Sequence, residues 1–383
     1  MESNPESVKN RSMAYNSIYV AATSQHVGKT TSTLGLVAAF MKKGVQVGYC
    51  KPVGQKSLNV KEMEVDKDAI LFADLMKFQL SASIHSPVIL GKGATAAYID
   101  SPSGFNYENR IQHAAKRLED DYELVIYEGT GHPGVGSIVN LSNADVAKMV
   151  DARVIMVVEG GIGSTIDMLS LCLAKFQMLD LPVLGVIINK VKPSKIDKVK
   201  YYVGKYLKKF DLPLLGVIPY DKSLAFPLIR TVVKAINGIV SFNEDQLDNK
   251  VEDILAGSLI DLGELKSLKD LLLVVSAQRV GDAIAKIDSI SQLVGLDQSP
   301  LSGIVATGNG SITGSCLDYI QKHRIPVIRT TLDTYGSVLK ISRIEVKINR
   351  STPWKVARAI ELIEKNVDMD ALLDQLSKSM SKN

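Results

Sequence analysis

Short apolar runs alternate with longer stretches of helical periodicity along most of this 383-residue chain. The runs are rich in Val and Ile and mostly continuous, which is typical of strands covered on both faces. Strands and helices that alternate in this way predict right-handed βαβ units around a parallel sheet. The predicted strands of this first series are residues 18–22, 45–51, 124–128, 153–158, 183–189 and 214–218, with helices that include residues 30–43 and 165–179. The sequence therefore predicts an α/β fold.

The alternation of strands and helices is interrupted beyond Pro219, and a second α/β series follows. Its predicted strands are residues 271–275, 303–307 and 327–329, with helices at 281–293 and 314–323. The stretch between the two series holds a helix, a short strand near Ile239 and a polar segment. We therefore expect a first domain over residues 17–222, a connecting helix and linker over residues 223–250, a smaller α/β domain over residues 251–366, and a tail that frays from Asp368 onward.

Composition and charge exclude several classes of function. The 45 basic and 41 acidic residues leave a net charge of +4 and aromatic residues make up 6%, which argues against a nucleic-acid surface. Apolar runs are no longer than strands, and the polar N-terminus lacks the apolar core of a signal peptide, so we expect no membrane association and a cytoplasmic protein. An odd, scattered set of cysteines predicts buried thiols rather than disulfides or a zinc site: Cys50, Cys172 and Cys316.

The segment between the first strand and the first helix predicts a phosphate-binding loop. A strand, a loop that ends in Gly-Lys-Thr and a helix are the parts of a P-loop. Gly28 lets the backbone approach phosphate oxygens, Lys29 reaches the β- and γ-phosphates, and the Thr30 hydroxyl is offered to Mg²⁺. The loop departs from the standard motif at Thr23, where glycine is usual, and a structural turn is the alternative. The predicted nucleotide contacts are Gln25, His26, Val27, Gly28, Lys29, Thr30 and Thr31.

Further polar side chains stand where parallel sheets bind ligands, at strand ends and at a helix start. Glu128 ends the third strand and is either an Mg²⁺ ligand or a solvated strand end. Asp66 and Asp68 begin a helix and are either acidic partners of a metal or helix caps. Lys51 ends the second strand and either binds phosphate or a substrate carboxylate or is an exposed lysine. Asn189 ends the fifth strand and either reads a nucleobase edge or forms a turn.

Taken together, these motifs resemble the dethiobiotin synthetase-like group of P-loop proteins. The resemblance covers residues 17–220, where six motifs occur in that family's order: Val27-Gly28-Lys29-Thr30, Cys50-Lys51-Pro52-Val53, Lys67-Asp68-Ala69, Glu128-Gly129, Asn189-Lys190 and Gly216-Val217-Ile218-Pro219. It implies a parallel-sheet P-loop NTPase domain with a site for ATP and Mg²⁺. It further implies that Lys29 and Lys51 are catalytic, that Thr30, Asp68 and Glu128 hold the metal, and that Asn189 and Pro219 join the loop in binding the nucleotide.

The substrate-facing segments differ from those of dethiobiotin synthetase. Ala22-Thr23-Ser24-Gln25 stands where that enzyme has Gly-Thr-Asp-Thr, and Glu128-Gly129-Thr130-Gly131-His132 where it has Glu-Gly-Ala-Gly-Gly. The whole chain resembles more closely the N-terminal regulatory part of long bacterial phosphate acetyltransferases, in which a DRTGG domain follows. The segments that carry this resemblance are residues 271–276, Arg279, 303–308, 325–327 and 333–335, with 307–310 as a degenerate form of the naming motif.

Two functional hypotheses follow from these resemblances. The first is a module that binds MgATP, senses a small metabolite and acts on a partner enzyme, without acetyl transfer by this chain alone. The second is an ATP-dependent ligase or synthetase that activates a small carboxylate or carbamate. By analogy with the family, either form is expected to be a homo-oligomer. The absence of an Asp after Asn189-Lys190, which guanine-specific loops carry, favours ATP over GTP.

Overall fold

The computed structural model describes residues 17–257, 269–312, 314–344, 346–349 and 351–378. The described residues form two compact units. One contains the residues up to Asp221 together with those from Ile348 onward, and the other runs from Lys222 to Lys347.

The first unit is built on a six-stranded parallel sheet with the order β10-β9-β8-β1-β7-β2. Two short pairs flank it, β3 with β6 in parallel and β4 with β5 as an antiparallel hairpin. Strands β1, β2 and β7 are buried along their whole length, as the continuous apolar runs predict. The strands are β1 (Ser17–Ala22), β2 (Val47–Cys50), β3 (Val53–Gly54), β4 (Ser57–Val60), β5 (Met63–Asp66), β6 (Val88–Ile89), β7 (Leu124–Glu128), β8 (Ala152–Glu159), β9 (Val183–Val191) and β10 (Leu214–Pro219).

Helices cover both faces of this sheet. Apolar residues of α5, α6, α7 and α8 pack with the sheet in one buried cluster, and α1 lies against β1 and β7. These helices are α1 (Lys29–Lys42), α2 (Lys67–Met76), α3 (Ala82–His85), α4 (Ala94–Asp100), α5 (Tyr107–Asp121), α6 (Asn143–Met149), α7 (Gly163–Gln177) and α8 (Ile196–Leu207). The arrangement is the α/β layering that the strand–helix alternation predicts.

The second unit has a five-stranded sheet with the order β11-β15-β14-β13-β12, in which only β11 is antiparallel to its neighbour. Alternate residues of β13 face different layers, since Leu271, Leu273 and Val275 pack with α10 while Leu272 and Val274 pack with α9 and α12. The elements are α9 (Ile229–Ala235), β11 (Ile239–Phe242), β12 (Asp253–Ala256), β13 (Leu271–Ser276), α10 (Val280–Leu293), β14 (Leu301–Thr307), α11 (Ser315–Lys322), β15 (Val327–Thr330) and α12 (Thr334–Ser342).

The division of the chain differs from the expected domain ranges at two places. The segment expected as a connecting linker supplies α9 and the edge strand β11 of the second unit. The last two helices, α13 (Pro353–Asn366) and α14 (Met369–Lys378), belong to the first unit, where α13 packs along α1 and against β10. The physical reason is long-range packing of buried residues such as Ile363, which a local sequence pattern does not show.

The expected fraying from Asp368 does not begin there. Met369, Leu372 and Leu376 are buried along one stripe of α14. The Arg153 guanidinium on β8 donates hydrogen bonds to the Gln375 and Leu376 carbonyl oxygens at the end of that helix, at 3.2–3.3 Å. The helix is therefore fastened at its C-terminal end, where backbone carbonyls lack helical partners.

Candidate active site

The phosphate-binding loop predicted from the sequence connects β1 to α1. Gly28 precedes the helix with a positive φ of 96°. A Cβ atom at this position would lie 1.9 Å from the Asn189 side-chain nitrogen, so a larger residue is excluded by both backbone conformation and space. The Ser32 amide donates to the Gly28 carbonyl at 2.9 Å and continues the loop into the first helical turn.

Two consecutive residues near the end of β9 donate hydrogen bonds to the backbone of the phosphate-binding loop. Asn189 Nδ2 donates to the Val27 carbonyl oxygen at 2.9 Å, and Lys190 Nζ donates to the His26 carbonyl oxygen. His26 itself adopts a left-handed conformation with φ 63°. The side-chain nitrogen of Asn189 is thus hydrogen-bonded to the loop backbone. The expected contact of Asn189 with a nucleobase stays a prediction. Lys190 was not among the predicted site residues, although the Asn-Lys pair at a strand end was a visible signal.

Glu128 at the carboxyl end of β7 is the centre of the polar cluster. Its side chain is fully buried, which excludes the alternative of a solvated strand end. Oε1 accepts from the Thr30 hydroxyl at 2.7 Å and from Lys51 Nζ at 3.0 Å, while Oε2 accepts from the Tyr49 hydroxyl at 3.3 Å. Burial and then the charge of Glu128 raise the pKa of Tyr49, so this phenol remains a hydrogen-bond donor.

Lys51 bridges the two predicted acidic residues. Its ammonium lies 2.8 Å from Asp68 Oδ2 and 3.1 Å from the Gly129 carbonyl oxygen, and the residue is only 4% exposed. The alternative of an exposed lysine is therefore excluded. Burial by itself lowers the pKa of Lys51, but attraction to Asp68, Glu128 and Asp66 outweighs it and raises the pKa above its ordinary value. These carboxylates therefore hold Lys51 in its protonated form.

The structure shows the helix-cap role for Asp66, whereas the metal-binding role of Asp68 stays a prediction. Asp66 is the N-cap, and its Oδ1 accepts from the Asp68 amide at 2.9 Å. Asp68 instead pairs with Lys51. Burial raises the pKa of Asp66, and this is partly offset by the positive charge of Lys51.

The loop after Glu128 approaches both predicted catalytic lysines. Lys29 Nζ donates to the Gly131 carbonyl oxygen at 3.4 Å, on the same loop whose Gly129 carbonyl accepts from Lys51. Asn143, at the first turn of α6, bonds to the backbone of this loop at Thr130 and His132. Sequence reasoning missed Asn143, because its partners in this loop are backbone atoms that no motif displays.

The remaining predicted nucleotide contacts lie around the same edge of the sheet. Gln25 is exposed in the loop and Thr31 is half-buried in the first turn of α1. Pro219 lies at the carboxyl end of β10, paired in register with Val191 of β9. The structure does not bring Pro219 into the cluster around Glu128, and its role in nucleotide binding stays a prediction.

The donor set suits a hard divalent cation. Mg²⁺ prefers oxygen ligands and in nucleotide sites takes one or two from the protein and the rest from phosphates and water. The Thr30 hydroxyl and the Glu128 carboxylate, adjacent at the mouth of the loop, are two such oxygens. Within the described ranges, no group of three or more His, Cys, Asp or Glu side chains is arranged to hold a metal ion.

Comparison with known proteins places this geometry in a family. The sequence model of AAA_26, described as an AAA domain, matches residues 16–227, which hold the loop and the polar cluster. The chain belongs to the AAA_26 family. The P-loop NTPase-like fold of AAA_26 implies nucleotide binding, and the second α/β unit follows the matched region.

Curated relatives of this AAA_26 protein include three kinds of enzyme. Phosphate acetyltransferase of Synechocystis is 23% identical over 383 residues, covering 96% of this chain and 52% of that protein. ATP-dependent dethiobiotin synthetase of Thermodesulfovibrio yellowstonii is 27% identical over 215 residues, covering 53% and 88%. A probable cobyric acid synthase of Methanocaldococcus jannaschii is 26% identical over 234 residues, covering 55% and 46%. The chain thus spans about half the length of the phosphate acetyltransferases that it matches.

Among solved structures, the MinD cell division protein of Aquifex aeolicus aligns with a TM-score of 0.37 at 14% identity. The alignment covers 55% of this chain and 84% of that one. Among the described residues, none of the helices has the length and apolar character needed to cross a membrane.

Proposed function

We propose that the first unit binds ATP with Mg²⁺ at the loop between β1 and α1. The observation that carries this proposal is the continuous chain of contacts from Thr30 through Glu128 and Lys51 to Asp68. These residues come from α1, β7, α2 and the residue that follows β2, and they meet beside a loop that ends in Gly-Lys-Thr. Phosphoryl-transfer sites need groups that bind a metal ion, groups that bind phosphate, and cations that stabilise the charge of the transferred group.

The residues have distinct roles in this proposal. Backbone amides of the loop and the N-terminus of α1 attract phosphate oxygens, and Lys29 contacts the β- and γ-phosphates. Thr30, Glu128 and Asp68 hold Mg²⁺, which when bound neutralises charge on the phosphates. Lys51, which pairs with Asp68 and Glu128, would stabilise the charge of the transferred phosphoryl group.

The binding proposal is tested by titration calorimetry with ATP in the presence and absence of Mg²⁺. Lys29→Ala removes a charged hydrogen bond to phosphate and is expected to weaken ATP binding by roughly 10- to 100-fold. Lys200→Ala, which removes an exposed lysine of α8, is the matched control and is expected to bind as the parent does. Equal affinities of the parent and Lys29→Ala would contradict the proposal.

We further propose that the chain is a nucleotide- and metabolite-responsive module of the phosphate acetyltransferase type that acts on a partner enzyme. Support comes from the alignment with that relative, which covers 96% of this chain and so includes the second unit. A responsive module requires that the ligand favour one of two conformations. Hydrogen exchange over residues 222–347 is expected to change when MgATP is added, and unchanged exchange there at saturating MgATP would count against this role.

An ATP-dependent ligase is the second candidate function. It is favoured by the presence of every predicted catalytic and metal-binding side chain in the site, and by the match to dethiobiotin synthetase over 88% of that enzyme. This function predicts that ADP is released in the presence of a suitable small carboxylate or amine and CO₂. The assay is ADP formation against a panel of such compounds, with Lys51→Met as the inactive control.

A further inference from the structure

We propose that Asn143 is a positioning residue that orients both lysines of the site toward the γ-phosphate of ATP. The inference rests on the proposed ATP binding and adds to it a residue that no motif contains. Asn143 acts through the loop of residues 129–132, whose backbone carbonyls accept from Lys29 and Lys51.

The side-chain amide of Asn143 is engaged on both sides and is 3% exposed. Oδ1 accepts from the Tyr19 hydroxyl at 2.8 Å and from the Thr130 amide at 2.9 Å. Nδ2 donates to the Thr130 carbonyl at 2.9 Å and to the His132 carbonyl at 2.6 Å. An amide with four such bonds has one orientation, because a flip would place Nδ2 against the Thr130 N–H donor and Oδ1 against two carbonyl acceptors. It therefore fixes the backbone of the loop on both sides of Gly131.

The position of Asn143 is fixed in turn by the start of α6. Ser142 and Asp145 form a reciprocal capping box, with the Ser142 amide donating to Asp145 Oδ2 at 3.0 Å. The backbone N–H of Asn143 donates to the Pro133 carbonyl oxygen at 3.0 Å. Rigid support of this kind is what a site needs to hold charged groups within a fraction of an ångström of a productive geometry.

Gly129 lies too close to Asn143 and Tyr19 to carry a side chain. A Cβ atom on Gly129 would lie 2.6 Å from Asn143 Oδ1 and 2.8 Å from the Tyr19 ring. The Thr130 hydroxyl donates to the Val53 carbonyl, two residues beyond Lys51 in the chain. The Asn143 network thus connects the end of β7 with the segment that carries Lys51 and with β1, next to the phosphate-binding loop.

A positioning role and a merely structural role differ in their effect on nucleotide selectivity. In the proposed complex Lys29 contacts the β- and γ-phosphates and Lys51 faces the γ-phosphate, which ATP has and ADP lacks. A loop that drifts should therefore weaken ATP binding selectively, whereas loss of folded protein lowers the apparent affinity for both nucleotides equally. The ratio of the ADP to the ATP dissociation constant is the diagnostic quantity.

The experiment measures ATP and ADP dissociation constants in the presence of Mg²⁺ for the full chain, Asn143→Ser and the matched control Asn140→Ser. Asn140 is an exposed asparagine three residues earlier, whose amide reaches only to the Tyr98 hydroxyl at 3.4 Å. Asn143→Ser is expected to weaken ATP binding by about tenfold, the scale of one charged hydrogen bond, and ADP binding by less than about threefold. The control is expected to keep the parent ratio.

A second variant covers the case in which Asn143→Ser does not fold. Tyr19→Phe removes only the hydroxyl that orients Asn143 and is expected to shift the ratio in the same direction by a smaller factor. Folded variants that lose ATP and ADP affinity equally, or neither, would overturn the positioning role while leaving ATP binding intact. A parent protein that binds neither nucleotide would instead overturn the proposed function itself, and the positioning role with it.

Discussion

The crossing of α1 and α13 in the first unit gives a stability prediction that can be worked from distances. Gly35 lies in the middle of α1, where α13 passes closest. A Cβ atom added there would lie 2.2 Å from Cγ1 and 2.4 Å from Cβ of Ile363, and 3.1 Å from the Ala359 carbonyl oxygen. Ordinary carbon–carbon contacts are about 3.5–4.0 Å, so Gly35→Ala must push the helices apart.

Two opposing terms set the size of the effect. Alanine is favoured over glycine in a helix interior by about 1 kcal/mol, which stabilises the variant. Overpacking of a close-packed interior costs roughly 1–3 kcal/mol, and Ile363 has a stiff β-branched side chain that cannot swing aside. Contacts of 2.2–2.4 Å put the overpacking cost in the upper part of that range, about 2–3 kcal/mol, so we expect Gly35→Ala to lower the free energy of unfolding by about 1–2 kcal/mol. The matched control is Gly204→Ala in α8, where the nearest neighbour of a new Cβ is a Leu214 methyl at 3.6 Å, and it should stabilise by up to about 1 kcal/mol.

The single tryptophan of the chain provides the assay, because Trp354 lies at the start of α13. Its fluorescence in a urea titration follows the first unit, and the midpoint and slope give the free energy of unfolding. A double variant with Ile363→Ala should be less destabilised than the sum of the single changes, since the new methyl fills part of the space that is vacated. Additive effects, or a Gly35→Ala protein as stable as the parent, would refute the proposed crossing.

Three further predictions concern other parts of the chain. Burial lowers the pKa of His85, so the unfolded state takes up the proton first, and stability should fall below about pH 6.5 by at most about 1.4 kcal/mol per pH unit. His85→Gln should flatten that slope in urea titrations at pH 5 to 7. Arg153→Met removes the donor to the end of α14 and should speed hydrogen exchange over residues 369–378, whereas unchanged exchange there would show that packing alone holds the helix. Cys50, Cys172 and Cys316 are free and buried, and should react with a thiol reagent only after denaturation; labelling of the native protein would contradict their burial.

The main strands were predictable because strands that are buried on both faces consist of continuous apolar runs. The predicted strand at 124–128 coincides with β7, and those at 18–22 and 214–218 each fall one residue short of β1 and β10. The β4–β5 hairpin was not predicted, since Leu58 and its neighbours are largely exposed and carry no clean alternation. Its turn uses Lys61 and Glu62 at positive φ rather than the glycine or asparagine that marks such turns.

The charged residues of the site were predictable, because the chemistry of phosphate and metal binding requires those residue types. The residues that bind backbone atoms were not predictable. Lys51 and Glu128 come together because the carboxyl ends of parallel strands share one edge of the sheet, and Asp68 reaches Lys51 from the first turn of α2. Lys190 and Asn143 were missed because both bind backbone carbonyls. Any residue offers such a carbonyl, so the sequence holds no trace of the partner.

The return of α13 to the first unit has a consequence for biosynthesis. A unit of 126 residues, from Lys222 to Lys347, separates β10 from the chain segment that covers α1. At a translation rate of roughly 5–20 residues per second, about 6–25 s pass between the emergence of β10 and the arrival of α13. During that interval the face of α1 around Gly35 lacks its α13 partner, while the intervening unit is being synthesised. The nascent protein should therefore finish its second unit before its first and depend most on chaperones during that delay.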